Sequence, residues 1–161
     1  MKSTTWTPDS NHLIAVGTTE NNLYFHQEVD ISDLTVQRAS IANLTEFTTE
    51  KIKRSCILGD LLLVSPSNAH AKVFDISEGK MRLVKELKNS IDAVCGDSGF
   101  YSLEKGGKIV TKYDRDFNKK KEKKYTEEFF NLEAKGDMGT VLSSRNKIYF
   151  LDEDMDLIEE L

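Results

Sequence analysis

The stretch Asp60-Leu-Leu-Leu-Val-Ser-Pro-Ser-Asn-Ala-His-Ala-Lys-Val-Phe-Asp-Ile76 decides the fold. Two short apolar runs, 60–65 and 72–76, flank a Ser67-Asn68 turn, and neither continues into an apolar stripe at helical spacing. Branched and aromatic side chains in runs of five or six, punctuated by Ser and Asn, are the pattern of a β-hairpin. Asn, Gly and Asp suit its turns because they tolerate positive φ. A Gly59-Asp60 turn leads in from Ser55-Cys56-Ile57-Leu58, and Arg82-Leu83-Val84-Lys85 follows. The unit holds four strands.

The unit recurs. Phe74-Asp75, Tyr113-Asp114 and Leu151-Asp152 each close a strand, at spacings of 39 and 38 residues. Leu23-Tyr24-Phe25-His26 fills the same slot one unit earlier. Each unit opens on an inner strand: Thr4–Trp6, Ser55–Leu58, Ile91–Cys95 or Phe130–Leu132. Each ends on an outer one: Leu34–Gln37, Arg82–Lys85, Lys121–Tyr125 or Leu157–Glu160. The best helical candidate, Leu44 to Arg54, is weakened by Thr48-Thr49 with Ile52. The expectation is an all-β, β-propeller-like array of four four-stranded antiparallel blades, at about 1–42, 51–89, 90–126 and 128–161, in one domain. It forms a four-bladed ring or half of a larger ring. A sandwich of the same strands is the rival. In a half-ring the two end blades expose apolar faces, with Trp6, Leu13, Ala15, Val141 and Ile148 as candidates. Phe74, Tyr113 and Phe150 are expected at equivalent places in successive blades.

Trp6-Thr7-Pro8-Asp9-Ser10-Asn11, leading into His12-Leu13-Ile14-Ala15-Val16-Gly17, is similar to the strand-turn-strand segment of the WD-repeat and WD-like propeller superfamily. Val73-Phe74-Asp75 and Val110-Thr111-Lys112-Tyr113-Asp114 stand where that superfamily has its strand-closing Trp-Asp dipeptide. The resemblance covers nearly the whole chain. It implies propeller blades and a protein that binds other proteins without catalysis.

Composition bounds the function. The 161 residues are 39% hydrophobic and 30% charged with a net charge of −5, the balance of a globular chain. An acidic total argues against a surface wholly given to nucleic acid. The longest apolar run is the four residues Leu61–Val64, far short of a membrane span. Met1-Lys-Ser-Thr-Thr-Trp6 has no leader-like run, so an intracellular protein, cytoplasmic or nuclear, is expected. Cys56 and Cys95 lie in apolar stretches without Cys-x-x-Cys spacing and read as small buried hydrophobes, not as a disulfide.

The search for chemistry is largely negative. His12, His26 and His70 fall at strand ends and turns and form no metal-ligand pattern. There is no nucleophile elbow, Walker loop or dinucleotide fingerprint, and Gly106-Gly107 reads as one hairpin turn. Asp152, Asp154 and Asp156 have the spacing that opens a calcium loop but not its glycine or its twelfth-position glutamate, so they read as a hairpin turn. No catalytic residue, metal or cofactor is assigned. One charge run stands out: Lys119, Lys120, Lys121, Lys123 and Lys124, around a single Glu122. On an outer strand such lysines block edge pairing; alternatively they contact phosphate or an acidic partner. The expected function is a non-catalytic protein-interaction scaffold or complex subunit. Its partners are proteins, with a second copy completing the ring as the simplest case. The alternative is an accessory subunit of an RNA- or ribosome-directed complex, using Lys119–Lys124 on phosphate.

Overall fold

The computed structural model describes residues 3–6, 13–19, 22–26, 28–30, 35–37, 52–67, 69–77, 82–134 and 139–161, with side-chain environments from residue 52 onward. Every element among the described residues is a strand. The Asp60–Ile76 stretch forms a hairpin of β7 (Leu61–Pro66) and β8 (Ala71–Asp75), with β6 (Ile52–Leu58) and β9 (Arg82–Leu87) outside it in one antiparallel sheet. Two further sheets repeat the order: β10 (Ser90–Cys95) to β13 (Lys119–Lys124), with β11 (Gly99–Glu104) and β12 (Ile109–Asp114) central, and β14 (Asn131–Ala134) to β17 (Leu157–Glu160), with β15 (Thr140–Ser143) and β16 (Ile148–Leu151) central. Residues 52–54 of the helical candidate belong to β6, and the rest of it lies outside the described residues.

The N-terminal unit differs from the expected fourth blade. β1 (Ser3–Trp6), β2 (Leu13–Thr19) and β3 (Asn22–His26) make a three-stranded sheet. The anticipated outer strand, β5 (Thr35–Gln37), pairs instead with β4 (Glu28–Asp30). Of the five sheets among the described residues, three have four strands. First strands sit side by side along the array: β1 beside β6, β6 beside β10, β10 beside β14. That places them innermost, as in propeller blades.

Register identifies the repeating residue. Phe74 pairs with Leu62, Tyr113 with Phe100 and Leu151 with Thr140, each just past a shift in register against the outer strand. Leu151, not Phe150, is therefore the equivalent of Phe74 and Tyr113. Side chains alternate across a sheet, so Phe150 points the opposite way. Alternation also sorts the core. One face of the β6–β9 sheet packs Leu58, Leu63, Val73 and Leu87 against Ala93 and Phe100 of the next sheet. The other face of that next sheet packs Tyr101, Leu103 and Val110 against Leu132, Leu142 and Leu151. Leu62, Val64 and Phe74, all fully buried, lie on the β6–β9 face turned to the N-terminal strands.

Cys56 and Cys95 are joined by a disulfide, contrary to the sequence expectation. Their Cα atoms are 5.9 Å apart, inside the range a bridge requires. The register explains why. Leu62 and Phe100 are equivalent, so their partners Ile57 and Cys95 are too. Cys56 is thus one residue out of step with Cys95, which turns the two thiols toward each other from facing sides of neighbouring inner strands.

Candidate functional site

The inner strands carry the molecule's densest polar cluster, centred on Asp92 of β10. Its carboxylate is fully buried. Lys53 Nζ donates to Oδ2 at 2.7 Å, Arg54 Nε lies 3.0 Å from Oδ1, and the amides of Ala93 and Leu132 donate at 3.0 and 3.2 Å. Ser65 Oγ adds a contact at 3.4 Å. Lys53 also donates to the Phe130 carbonyl, and Arg54 to the Leu132 carbonyl and the Glu133 carboxylate. One carboxylate thereby ties β6, β10 and β14 together. Composition gave no hint of it, because Asp92 sits alone in an apolar run, and its partners come from two other sheets. Beside it, Lys53, Arg54, Cys56, Cys95, Glu133 and Ala134 line an open groove of about 320 Å³. Each oxygen of Asp92 accepts two hydrogen bonds, Oδ1 from Ala93 and Ser65 and Oδ2 from Lys53 and Leu132, which leaves the carboxylate no free lone pair for a substrate, while the buried Arg54 Nε makes no hydrogen bond among the described residues.

Three equivalent aspartates cap the turns between third and fourth strands. Asp75 Oδ1 accepts from the Ser77 amide and hydroxyl. Asp114 Oδ1 accepts from the amides of Asp116 and Asn118, and Asp152 Oδ1 from those of Asp154 and Asp156. The calcium-like spacing is the spacing of this cap: the carboxylate holds amides two and four residues on. The turns admit positive φ at Phe117 (64°) and Met155 (60°), which fold inward onto Phe100 and into the core. Hydrogen bonds from Ser77 hold the Asp75 carboxyl down at about 2, and Lys120 does the same for Asp114. Among the described residues no cluster of His, Cys, Asp or Glu is arranged to hold a metal.

The candidate lysines occupy the whole of β13, the outer strand of its sheet. Lys119 pairs with Glu122, Lys120 with Asp114 at 2.8 Å, and Lys121 and Lys123 with Asp156 at 3.7 and 3.0 Å. Lys123 also donates to the Met155 carbonyl. Lys124, at the strand end, is exposed. Asp156 belongs to the acidic C-terminal segment, so that segment meets the lysine run within the chain. Of the histidines, His70 accepts from the Asn89 amide through Nδ1 at 3.0 Å beside a second groove of about 300 Å³; the side chains of His12 and His26 lie outside the described residues. Gly106 and Gly107 form the foreseen hairpin turn, with positive φ at both.

Both rims of the array carry mixed charge, with Arg115 exposed among the acids of one and Glu128 among the bases of the other. The turns after β6, β8, β10, β12 and β16 share one rim, where Asp60, Asp97, Asp116, Glu153 and Asp154 are exposed. The opposite rim carries the turns after β7, β11 and β15, with Lys105 and Arg145 exposed.

No family model matches this chain, and neither does any curated protein sequence. Among solved structures it is similar to the N-terminal domain of Nup159, a β-propeller, with a TM-score of 0.63 at 11% identity. The match covers 100% of this chain and 44% of that one, so the chain spans less than half the length of its structural neighbour. The fold is propeller-like. No helix among the described residues is long and apolar enough to cross a membrane.

Proposed function

We propose that this chain is a non-catalytic protein-interaction scaffold, built of WD-like propeller blades with the N-terminal strands as a reduced fourth unit. The observation that carries the reading is the Asp92 cluster: the buried polar groups link blades to one another, which makes a rigid frame and leaves recognition to the rims. The exposed carboxylates of the turn rim suit a protein partner with a basic docking surface. An intracellular setting, cytoplasmic or nuclear, belongs to the same reading. The RNA-directed alternative gains nothing from β13, where phosphate would have to displace the carboxylates of Asp114, Glu122 and Asp156.

The test is co-purification of tagged chain from cells, compared with a triple variant Asp116→Asn, Glu153→Gln, Asp154→Asn. None of these side chains caps a turn, so folding should be retained. Recovery of the wild-type chain's protein partners should fall at least about tenfold, the loss of roughly 1.4 kcal/mol of binding. Equal recovery by both chains removes the rim carboxylates as the docking surface. A wild-type chain that retains no partner protein and turns over a small substrate contradicts the scaffold reading itself.

A further inference from the structure

A covalent link, Cys56–Cys95, crosses the inner seam between β6 and β10. The scaffold role makes no use of it. Cysteines of a purely structural bridge are buried, and burial keeps them inert. Here both are partly exposed, and both line the open groove beside the Asp92 cluster. An attacking thiolate therefore has access, which is the first requirement for exchange. The groove's volume of about 320 Å³ falls at the lower end of the range for small-ligand sites, about 300–1,000 Å³.

The second requirement is a leaving group. The departing sulfur carries away the electron pair, and it leaves faster the lower the pKa of its thiol. The Cys95 amide directs its N–H at Cys56 Sγ, 2.9 Å away. A hydrogen bond to the charged form favours that form, so a thiolate on Cys56 is stabilised where it is released. Lys53 and Arg54 line the same groove but are already paired with Asp92 and Glu133, so the directed amide is what sets Cys56 apart. The third requirement is a fold that outlasts the bridge. Lys53 and Asp92 hold β6 to β10, and Leu58, Leu63, Ala93 and Phe100 pack the two sheets together, none of them through sulfur.

We infer that Cys56–Cys95 is a thiol-exchange site, at which a low-molecular-weight thiol adds to Cys95 and reversibly opens the link between the two sheets. The incoming thiolate gives its electron pair to Cys95 Sγ and forms a new S–S bond. The Cys56–Cys95 bond breaks, and its pair goes to Cys56 Sγ as thiolate. A second incoming thiolate then attacks the first one's sulfur, releasing the small molecule as its own disulfide and Cys95 as thiolate. Two small thiols are oxidised and one protein disulfide is reduced; the two protons they lose are those that the cysteines take up. The site lies apart from the rim carboxylates, so this inference and the docking surface stand or fall separately.

Reduced glutathione is the probe. The purified, bridged chain is incubated with it at neutral pH, quenched with acid and mapped by peptide mass. A single glutathionyl adduct should appear first, on Cys95, followed by the fully reduced chain. The rate should rise in proportion to glutathione and stay unchanged in urea below the unfolding transition, because the folded chain is what reacts. Single-cysteine variants test the leaving group. The residue 95 amide survives in Cys95→Ser, so Cys56 there should react with iodoacetamide about threefold faster than Cys95 does in Cys56→Ser, about tenfold more thiolate being partly offset by lower nucleophilicity. A first adduct on Cys56, opening only as urea unfolds the chain, or equal rates in the two variants overturns the inference. So does opening by a protein dithiol such as thioredoxin but not by glutathione, or two alkylable cysteines before any thiol is added.

Discussion

Asp92 is the residue on which the array's inner seam depends. Removing it takes the carboxylate from Lys53, 25% exposed at its side chain, and leaves Arg54, 17% exposed, with Glu133 alone as counter-ion. Breaking a buried pair in this way costs about 3–5 kcal/mol, more than the pair itself contributes, because the remaining charge is stranded. Chemical denaturation of Asp92→Ala should show a loss of that size. A loss below about 1 kcal/mol would mean that the cluster is solvated and ties nothing. Sequence reading did not find this residue. Asp92 is flanked by Ile91 and Ala93, and only the packing of three inner strands shows that it meets Lys53, Arg54 and the Leu132 amide.

At the scale of the element, the turn caps give a pH signature. Asp114 has a folded value near 2 against its ordinary 3.8, with Lys120 as the largest cause. A carboxyl held below its unfolded value stabilises the fold above that value and loses the contribution as pH falls through the folded one. The melting temperature of the wild type should therefore drop between about pH 4 and pH 2, and the difference from Asp114→Asn should shrink over the same interval. A difference constant with pH would show that the carboxylate charge is not what the turn uses. β13 gives a second expectation at this scale. With four of its five lysines set against carboxylates, the strand should bind heparin or duplex DNA weakly. Replacing all five by Gln should then alter retention little. A salt slope that falls by about 0.9 per lost duplex phosphate contact would instead restore the phosphate reading. The strands themselves were legible because Val, Ile, Phe and Tyr runs are bounded by Gly, Asn and Asp. The equivalence of Leu151 was legible from the strand-closing Asp, whereas placing Phe150 there mistook residue type for register.

For the whole molecule, the cysteine bridge is where sequence and structure part. A 39-residue separation looks like one repeat and hence like two residues in matched, non-meeting positions; the true repeat between the inner strands is one residue shorter, which turns the pair face to face. In a reducing compartment the bridge is open to exchange. Closing a loop of this length is worth about 4 kcal/mol in the chain-entropy account. Addition of a dithiol should lower the unfolding midpoint and make two cysteines alkylable, without changing the β content. Two alkylable cysteines before any reductant is added would show that the bridge does not form. Three of the four expected units, in residues 52–161, were legible from spacing; before them the anticipated outer strand pairs with β4 and the unit is not a four-stranded sheet.

The central claim is that the apolar faces of consecutive sheets stack each on the next, as blades do, with first and third complete sheets meeting only through polar groups at the inner strands. Methyl and aromatic nuclear Overhauser effects measure this directly. Leu58, Leu63, Val73, Ala93 and Phe100 should form one connected set, and Leu103, Val110, Leu132 and Leu142 another. No effect should join Leu63 or Val73 to Leu132 or Leu142. Cross-peaks between those pairs would place the first and last complete sheets face to face, the geometry of a sandwich, and would contradict the account.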